Sequence, residues 1–505
     1  MPRYSVVTFG CQMNVHDSQR MEQVLLGAGY DRADDLATSD VIVLNTCSIR
    51  EKAEQKLRSE VGRLRLLKAE RPSLVIAVAG CVAQQEGERL RQAMPDVDVV
   101  LGPDNIAELP ALLADVELGG GPRVRTVFDL DAPAFLPFNP EAGSMVTAFV
   151  TVMKGCNERC SYCIVPHTRG AERYRPSAEI IEECQRLVQS GVVEITLLGQ
   201  TVNSYLDPTG RLESASESLH NPWARSRGSL AHADETEFPA LLFALAREVP
   251  GLRRLRYTSP HPRHLTPALM DAHARLDVLS KHVHMPVQSG SDVVLRRMLR
   301  RYSAAEYVER TDALKGAVPG LTLSTDIIVG FPGETEEDFE ATLSLVRRVG
   351  FVAAFGFKYS VRPYTPAERL ADDISEEEKS RRLARLFAEV DTFKERHLAS
   401  LVGSSATVVV EGLDKRGGLF GRSERNEIVH LSAESIASAA LPGSIRAGCL
   451  VSVRIEQAYK NSLLASVVAV VLEAPTFAQK SPGAGATPAA SEPKRRLLPM
   501  LGSPV

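Results

Sequence analysis

Three cysteines lie close together in the stretch GCNERCSYCIVPHTRG, residues 155–170, with the spacing C-x3-C-x2-C. They are Cys156, Cys160 and Cys163, and three thiolates in one short loop suit a [4Fe-4S] cluster, which proteins usually hold with four cysteines. A structural zinc site would need a fourth ligand, for which His167 is the obvious nearby candidate. We favour the cluster, because its open iron could be chelated by a small molecule that carries an amine and a carboxylate.

A second set of cysteines is spread over the amino-terminal part of the chain. Three short apolar runs are each followed directly by a cysteine: YSVVTFG (4–10) by Cys11, VIVLNT (41–46) by Cys47 and LVIAVAG (74–80) by Cys81. Such runs are typical of buried parallel strands, and ligands bind at the carboxyl ends of such strands. The pattern therefore predicts a shared metal or cluster site. The alternative is three buried thiols that pack as small apolar side chains.

The elements that must position these cysteines divide the chain into three folded units. Residues 1–118 alternate apolar strands with amphipathic helices, which predicts an open α/β domain of Rossmann-like type. Residues 142–373 contain six strand–helix units, which predict a partial (β/α)6 barrel with its site at the carboxyl ends of the strands. Residues 376–472 indicate a linker helix and a small β-barrel, and residues 473–505, rich in Ala, Pro, Ser and Gly, indicate a disordered tail.

The composition is that of an ordinary soluble protein. The 505 residues are 44% hydrophobic and 24% charged, and the formal net charge of -4 gives no sign of a strongly basic surface over the whole chain. No apolar run is long enough to span a membrane, and the amino terminus lacks the pattern of a signal peptide. We therefore expect a cytoplasmic protein without a membrane partner, whose eight cysteines are ligands or core residues rather than disulfides.

The cysteine loop at the end of the first barrel strand resembles that of the radical S-adenosylmethionine (SAM) superfamily. The order of three amino-terminal cysteines, barrel and small β module resembles the methylthiotransferases, whose last domain is called TRAM, over about residues 3–472. The stretches TFGCQMNVHDSQRM (8–21) and NTCSIREKAEQK (45–56) are similar to the branch that acts on N6-(dimethylallyl)adenosine in tRNA. The CQMN stretch is the sharpest discriminator, because the other two branches have different residues there.

This resemblance implies two [4Fe-4S] clusters and SAM as cofactors. Cys156, Cys160 and Cys163 would hold the cluster whose open iron binds SAM and cleaves it to a 5′-deoxyadenosyl radical. The three amino-terminal cysteines would hold an auxiliary cluster whose sulfur is methylated by a first SAM. The radical from a second SAM would take a hydrogen from C2 of adenosine 37, and methylthio transfer would follow. The implied partners are a tRNA anticodon stem-loop, an external electron donor and a sulfur donor, with the enzyme a monomer.

Further candidate residues follow the barrel strands. The stretches LLGQTVNSY (197–205), YTSPHP (257–262), MPVQSGSD (285–292) and TDIIVGFPGET (325–335) lie where a barrel binds its ligands. The alternative is ordinary turn chemistry between strand and helix. We predict contacts to SAM or substrate from Thr201, Ser259, His261, Gln288 and Asp326.

A basic stretch follows the fourth barrel strand. The sequence LRRMLRRY (295–302) predicts a helix that carries Arg296, Arg297, Arg300 and Arg301. Such a helix could contact phosphates of the anticodon stem-loop and so position the RNA without reading bases. The alternative is a solvated basic face with no partner.

Two features depart from the family pattern. The sequence YSVRPYTPA (359–367) has Val361 and Tyr364 where the family has Pro and Gly, and the loss of both turn-forming residues predicts a different rim near the substrate. The polar segment 207–235 is longer than the family norm and is expected to be a mobile surface insertion. The rival functions are methylthiolation of N6-threonylcarbamoyladenosine tRNA or of a ribosomal protein aspartate, and, from another class, iron–sulfur carriage without catalysis.

Overall fold

The computed structural model describes residues 1–48, 51–130, 135–212, 236–438 and 445–475. Nearly all of the predicted tail and most of the predicted insertion, residues 213–235, lie outside this part of the chain. Within the described residues, no helix combines the length and the apolar character that crossing a membrane requires.

The amino-terminal unit is a parallel six-stranded sheet with helices on both faces. Its strand order is β2-β1-β3-β4-β5-β6, and all neighbouring strands are parallel. β3 and β4 are buried along their whole length, which explains why their sequences are continuously apolar. The strands are β1 Arg3–Phe9, β2 Asp31–Arg32, β3 Val41–Thr46, β4 Val75–Gly80, β5 Val99–Leu101 and β6 Arg123–Arg125. The helices are α1 Gln12–Gly27, α2 Glu51–Glu70, α3 Cys81–Glu86, α4 Glu88–Ala93 and α5 Leu109–Glu117.

The central unit is a partial barrel of six parallel strands. They form two three-stranded sheets, β7-β10-β11 and β12-β13-β14, which are joined by a bridge between Leu255 and Leu279. β8 and β9 form a short antiparallel pair beside the first sheet. The strands are β7 Thr147–Thr151, β8 Met153–Lys154, β9 Arg173–Tyr174, β10 Glu194–Leu198, β11 Arg254–Tyr257, β12 His282–His284, β13 Thr322–Val329 and β14 Ala353–Lys358. The helices are α6 Val165–Arg169, α7 Ser177–Gln189, α8 Phe238–Glu248, α9 Pro267–Arg275, α10 Asp292–Arg297, α11 Ala304–Ala317 and α12 Glu336–Val349.

The carboxyl-terminal unit begins with a long helix and ends in a closed β-barrel. Helix α13, Glu376–Ser400, starts at Ser375, whose side chain accepts a hydrogen bond from the backbone N–H of Glu378. The barrel has the strand order β15-β16-β17-β19-β18, so the predicted mixed α/β architecture with a small terminal β-barrel is confirmed. Its elements are β15 Ser405–Leu413, β16 Leu419–Ser423, β17 Ile428–Leu431, α14 Ala433–Ser438, β18 Leu450–Ala458 and β19 Leu463–Leu472.

The two flanking units pack against opposite ends of the central barrel. At the carboxyl end of β7, Thr151 Oγ1 lies 3.1 Å from His16 Nε2 of the amino-terminal unit. At the amino ends of β11 and β12, Arg254 donates to the Arg422 carbonyl at 2.7 Å and Lys281 N–H donates to the Glu424 carbonyl at 2.8 Å. The amino-terminal sheet therefore adjoins the barrel end where ligands bind, and the small β-barrel covers the other end.

Candidate active site between two cysteine triads

The barrel cysteines lie in a loop that closes on itself. The backbone N–H of Cys156 donates to the Gly170 carbonyl at 3.1 Å, and that of Cys163 donates to the Cys160 carbonyl at 3.1 Å. Gly155 has a φ of +77°, and a Cβ there would overlap the Ala171 carbonyl oxygen. A glycine is therefore required for the loop to start and end at the same place. The three thiols, which we call the barrel triad, thus lie within one short closed segment, where the charges of Cys156 and Cys160 act on Cys163.

Neighbouring side chains contact two thiols of the barrel triad. Thr201 Oγ1, in the turn after β10, lies 3.0 Å from the sulfur of Cys156. Arg300 is buried, and its Nη1 donates to the sulfur of Cys160 at 3.2 Å. Burial raises the pKa of the Cys156 thiol to about 12. Burial, followed by the charges of the other two sulfurs, raises the pKa of Cys163 above its ordinary range. Iron must therefore displace a proton from each of these thiols, as cysteine ligation always requires.

The amino-terminal cysteines also meet, at the carboxyl edge of the first sheet. Cys11 follows β1, Cys47 follows β3 and Cys81 begins α3 directly after β4. A hydrogen bond with Cys47 is the main cause that lowers the pKa of Cys11 to about 6. Burial raises the pKa of Cys81, while the neighbouring Arg169 guanidinium opposes that rise. The structure thus brings together three thiols that are far apart in sequence, and we call them the auxiliary triad.

Two asparagines hold the auxiliary triad in place. Asn14 Oδ1 accepts a hydrogen bond from the Cys11 thiol at 3.2 Å, and Asn14 Nδ2 donates to Asn45 Oδ1 at 3.1 Å. Asn45 Nδ2 donates in turn to the Asn14 carbonyl at 2.8 Å. Gly80, with a φ of +93°, leaves no room for a Cβ beside the Asn45 side chain. Sequence reasoning missed both asparagines, although each lies within a quoted stretch, CQMN and VIVLNT.

The donor set of each triad fits an iron–sulfur cluster better than zinc. Three cysteine sulfurs are the ligands that such clusters use. His167, the candidate fourth zinc ligand, is exposed and its ring packs at 6.0 Å from the ring of Tyr364. In the part of the chain that the structure describes, no three Cys, His, Asp or Glu side chains are placed to share a single metal ion. Cys156, Cys160 and Cys163 would hold one cluster, and Cys11, Cys47 and Cys81 the other.

Four of the five predicted SAM or substrate residues follow barrel strands, and Asp326 lies within β13; four of the five form two groups. Thr201 contacts Cys156, and Asn203 connects this turn to His261, whose N–H donates to Asn203 Oδ1 at 2.7 Å. His261 is buried, and its Nε2 finds no hydrogen-bond partner among the described residues. Across the barrel, Gln288 N–H donates to the Asp326 carbonyl at 2.8 Å.

Backbone strain and charge mark this rim of the barrel further. Ser259 and Gln288 have φ values of +56° and +72°. Residues other than glycine seldom adopt this backbone conformation, and those that do are often found at functional sites. The carboxylate of Asp326 lies 3.3 Å from Nε2 of His284. Ser259 follows β11 and lies outside both groups, because among the described residues it makes no hydrogen bond to the other four.

The prediction that one helix carries all four arginines is wrong. Helix α10 ends at Arg297, and Leu299 adopts a φ of +56°. Because the chain turns there, Arg300 is directed inward, where it is buried against Cys160 and the hydroxyl of Tyr302, 2.9 Å from its Nε. Arg296 and Arg297 are exposed, and Arg297 donates to the Gly333 carbonyl at 2.6 Å. Arg301 lies beyond the helix and is half-buried.

Tyr364 retains the backbone conformation that the family's glycine suggests. Its φ is +67°, which glycine adopts without strain and tyrosine does not. The tyrosine hydroxyl accepts a hydrogen bond from Arg89 of the amino-terminal unit at 2.9 Å. Val361 is 44% exposed on the same segment. The departure at Tyr364 therefore adds a contact between the two units that face the site.

Sequence matches show that the chain belongs to the radical SAM class of enzymes. Residues 150–346 match the Radical SAM superfamily, and residues 3–102 match the uncharacterized protein family UPF0004. A solved radical SAM methyltransferase, TsrM from Kitasatospora setae, aligns with 73% of this chain and 75% of its own, at 14% identity and a TM-score of 0.49.

Two relatives identify the family within that class. The tRNA-2-methylthio-N(6)-dimethylallyladenosine synthase of Sorangium cellulosum is 58% identical over 100% of this chain and 99% of its own. The enzyme of the same name from Geobacter sulfurreducens is 42% identical over 92% of this chain and 97% of its own. The chain belongs to the tRNA-2-methylthio-N(6)-dimethylallyladenosine synthase family of radical SAM methylthiotransferases.

Proposed function

We propose that this chain catalyses the radical SAM-dependent methylthiolation of C2 of N6-(dimethylallyl)adenosine 37 in tRNA. The product is 2-methylthio-N6-(dimethylallyl)adenosine. The observation that carries the proposal is the pair of three-cysteine sites. One lies at the carboxyl edge of the amino-terminal sheet and the other at the carboxyl end of β7 in the central barrel, and the two units pack together there. Two such sites suit a reaction that needs both a radical and a sulfur atom, because the C2–H bond has no useful acidity and no leaving group.

The two cysteine sites would have different roles in the reaction. With SAM bound, the clusters supply the electron that generates the radical and the sulfur that is transferred. Cys156, Cys160 and Cys163 would leave one iron open to SAM, and Arg300 and Thr201 would orient two of these sulfurs. The amino-terminal unit lies over the end of β7 and so helps to keep water away from this region.

Contacts to SAM and to the substrate base are proposed for the residues after the barrel strands. His261 is the strongest candidate, because its buried Nε2 has no partner in the described chain and would accept or donate a hydrogen bond to a ligand. Burial, helped by the charge of Arg300, lowers the pKa of His261 well below its ordinary value, so the ring is neutral. We propose further contacts from Thr201, Ser259 and Gln288, which follow barrel strands, and from Asp326 within β13.

The RNA partner is proposed to be the anticodon stem-loop, in which an unpaired base can be exposed to an active site. Arg296, Arg297 and Arg301 remain candidates for phosphate contacts, while Arg300 does not. We also propose a monomeric, cytoplasmic enzyme with an external electron donor and a sulfur donor. The proposed domains are residues 1–118, residues 142–373 and residues 376–472 with the TRAM module.

Mass spectrometry of digested tRNA from a strain that lacks the gene tests the substrate assignment. The 2-methylthio-N6-(dimethylallyl)adenosine signal should disappear and N6-(dimethylallyl)adenosine should accumulate. A persistent signal in a strain without a second enzyme of this kind would overturn the assignment. Loss of 2-methylthio-N6-threonylcarbamoyladenosine, or of the modified ribosomal aspartate, would identify one of the rival substrates instead.

A further inference from the structure

One helix connects the two triads. Helix α6, Val165–Arg169, begins two residues after Cys163, the last thiol of the barrel triad. Its final residue, Arg169, is buried. Helix α6 packs against α3, the helix that Cys81 of the auxiliary triad begins, and this places the Arg169 guanidinium near enough for its charge to act on the Cys81 thiol. The hydrogen bond from Cys156 N–H to the Gly170 carbonyl closes the loop just behind Arg169. The loop that carries one triad therefore fixes a cation beside the other.

The charges around Arg169 form a small buried set. Its Nη2 donates to Asp17 Oδ2 at 2.5 Å, and both side chains are 7% exposed. His16 Nδ1 lies 3.7 Å from the other oxygen of Asp17. Burial lowers the pKa of His16 to about 4, so its ring is neutral at neutral pH and adds no second cation. Arg169 and Asp17 are thus a cation and an anion in contact, and of these two charges that of Arg169 acts more strongly on the Cys81 thiol.

A buried cation beside the sulfur ligands should affect the redox properties of the site. A cluster gains one negative charge when it is reduced, and a nearby cation stabilises that charge more strongly in a buried site than in water. Net charge and hydrogen bonds to the sulfurs are known determinants of cluster potentials. We propose that Arg169 is a positioning residue that holds Cys81 and raises the reduction potential of the auxiliary cluster. This inference rests on the proposed function, because it assumes that the auxiliary triad holds a cluster.

The test is a redox titration of the auxiliary cluster alone. The full-length chain with Cys156→Ala, Cys160→Ala and Cys163→Ala is reconstituted with iron and sulfide without oxygen, and the reduced cluster is followed by electron paramagnetic resonance. We call this triple variant the parent. Arg169→Gln, introduced into the parent, should shift the midpoint potential of the auxiliary cluster to a more negative value. Arg169→Lys should keep most of the parental potential. Asp17→Asn should shift the potential in the opposite direction, because it removes the anion that partly neutralises Arg169.

A matched control distinguishes the effect of the Arg169 charge on the potential from a general destabilisation of the interface. Arg175 is a buried arginine of the same interface, and its guanidinium bonds to Glu183 and to the Thr151 carbonyl. Arg175→Gln should leave the potential unchanged. Equal potentials for Arg169→Gln and the parent would overturn the proposal, as would shifts of the same sign for Arg169→Gln and Asp17→Asn. If Arg169→Gln does not load iron, the outcome is decided by Asp17→Asn, which should shift the potential to a more positive value, and by Arg169→Lys, which should keep most of the parental potential.

The outcomes also distinguish this inference from the proposed function. A parent that binds no cluster would contradict the two-cluster function itself. A parent with a normal cluster whose potential does not respond to Arg169 would contradict only the role of Arg169. Repeating the titration on the enzyme with all six cysteines checks that the loop keeps Arg169 in place when the barrel triad is intact, and the order of the potentials should be the same.

Discussion

Thr201 is the side chain through which the barrel triad can be tested with the least disturbance. Thr201→Val keeps the shape of the side chain and removes the hydroxyl that lies 3.0 Å from Cys156 Sγ. A hydrogen bond to a charged group contributes about 1.5–3 kcal/mol, so reductive cleavage of SAM should slow by about tenfold or more at equal iron content. Thr311→Val is the control, because that buried hydroxyl bonds only to carbonyls of its own helix. Unchanged cleavage in Thr201→Val would contradict this role.

Arg296 and Arg300 should separate RNA binding from cluster chemistry. Arg296→Gln removes an exposed charge and should weaken tRNA binding and reduce its salt dependence by about one unit of slope. Arg300→Lys should leave tRNA affinity unchanged and slow SAM cleavage, because lysine cannot keep the contacts of Arg300 to Cys160, Tyr302 and the Pro286 carbonyl together. Filter binding over a range of salt, beside deoxyadenosine formation, measures both. A loss of affinity in Arg300→Lys alone would reverse the assignment.

At the scale of residues, the sequence indicated which side chains are candidates for the site but not which other side chains they contact. The six cysteines could be named because spacing and position after strands are visible in the sequence. The inward direction of Arg300 depends on the positive φ of Leu299, which no pattern of leucine and arginine indicates. The contact between Arg169 and Asp17 joins residues 152 positions apart, so it could not be anticipated from local sequence.

At the scale of elements, the closed cysteine loop depends on Gly155. Gly155→Ala would place a Cβ against the Ala171 carbonyl at a φ of +77°, so the loop cannot close as it does now. The variant should lose the barrel cluster and keep the auxiliary one, which lowers the iron content from about eight to about four per chain. Gly62→Ala is the control, since no atom of the described residues lies within 4 Å of a Cβ added there and Gly62 lies inside helix α2. It should keep all its iron and gain about 0.5–1 kcal/mol of stability.

Iron analysis and thermal unfolding of the two glycine variants check this prediction. Full iron content in Gly155→Ala would show that the loop tolerates a different backbone path.

The elements themselves were largely predictable: apolar runs followed by turn residues located β1, β3, β4 and the six barrel strands. The end of α10 and the break between β7 and β8 were not, because they are set by tertiary contacts rather than by periodicity.

At the scale of the whole molecule, the relative placement of the three units had no signature in the sequence. The small β-barrel is held to the central barrel by side chains of Arg254, Arg256 and Arg425 that donate to backbone carbonyls. Carbonyl acceptors are present on every residue, so such contacts leave no mark in composition or spacing. The finding that the amino-terminal sheet and the small β-barrel occupy opposite ends of the central barrel therefore came from the structure.

Buried histidines should make the stability of the whole molecule fall in mild acid. Burial lowers the pKa of His273 to about 4 and that of His282 to about 3, whereas both titrate near 6.5 in the unfolded chain. The unfolded state therefore binds more protons below about pH 6.5, and each group costs about 1.4 kcal/mol per pH unit of further acidification. His273→Gln, which can keep the hydrogen bond to Tyr257, should show a smaller loss of Tm between pH 7.5 and 5.5. Identical losses in variant and wild type would contradict this cause.

The most direct test of the central claim is the reaction itself. The chain is reconstituted without oxygen, supplied with a reductant and a sulfur source, and incubated with isopentenylated tRNA and SAM labelled in its methyl group. We expect about eight irons per chain, deoxyadenosine formation and label in 2-methylthio-N6-(dimethylallyl)adenosine. Clusters that bind without deoxyadenosine formation or labelled nucleoside would contradict the account and favour an iron–sulfur carrier.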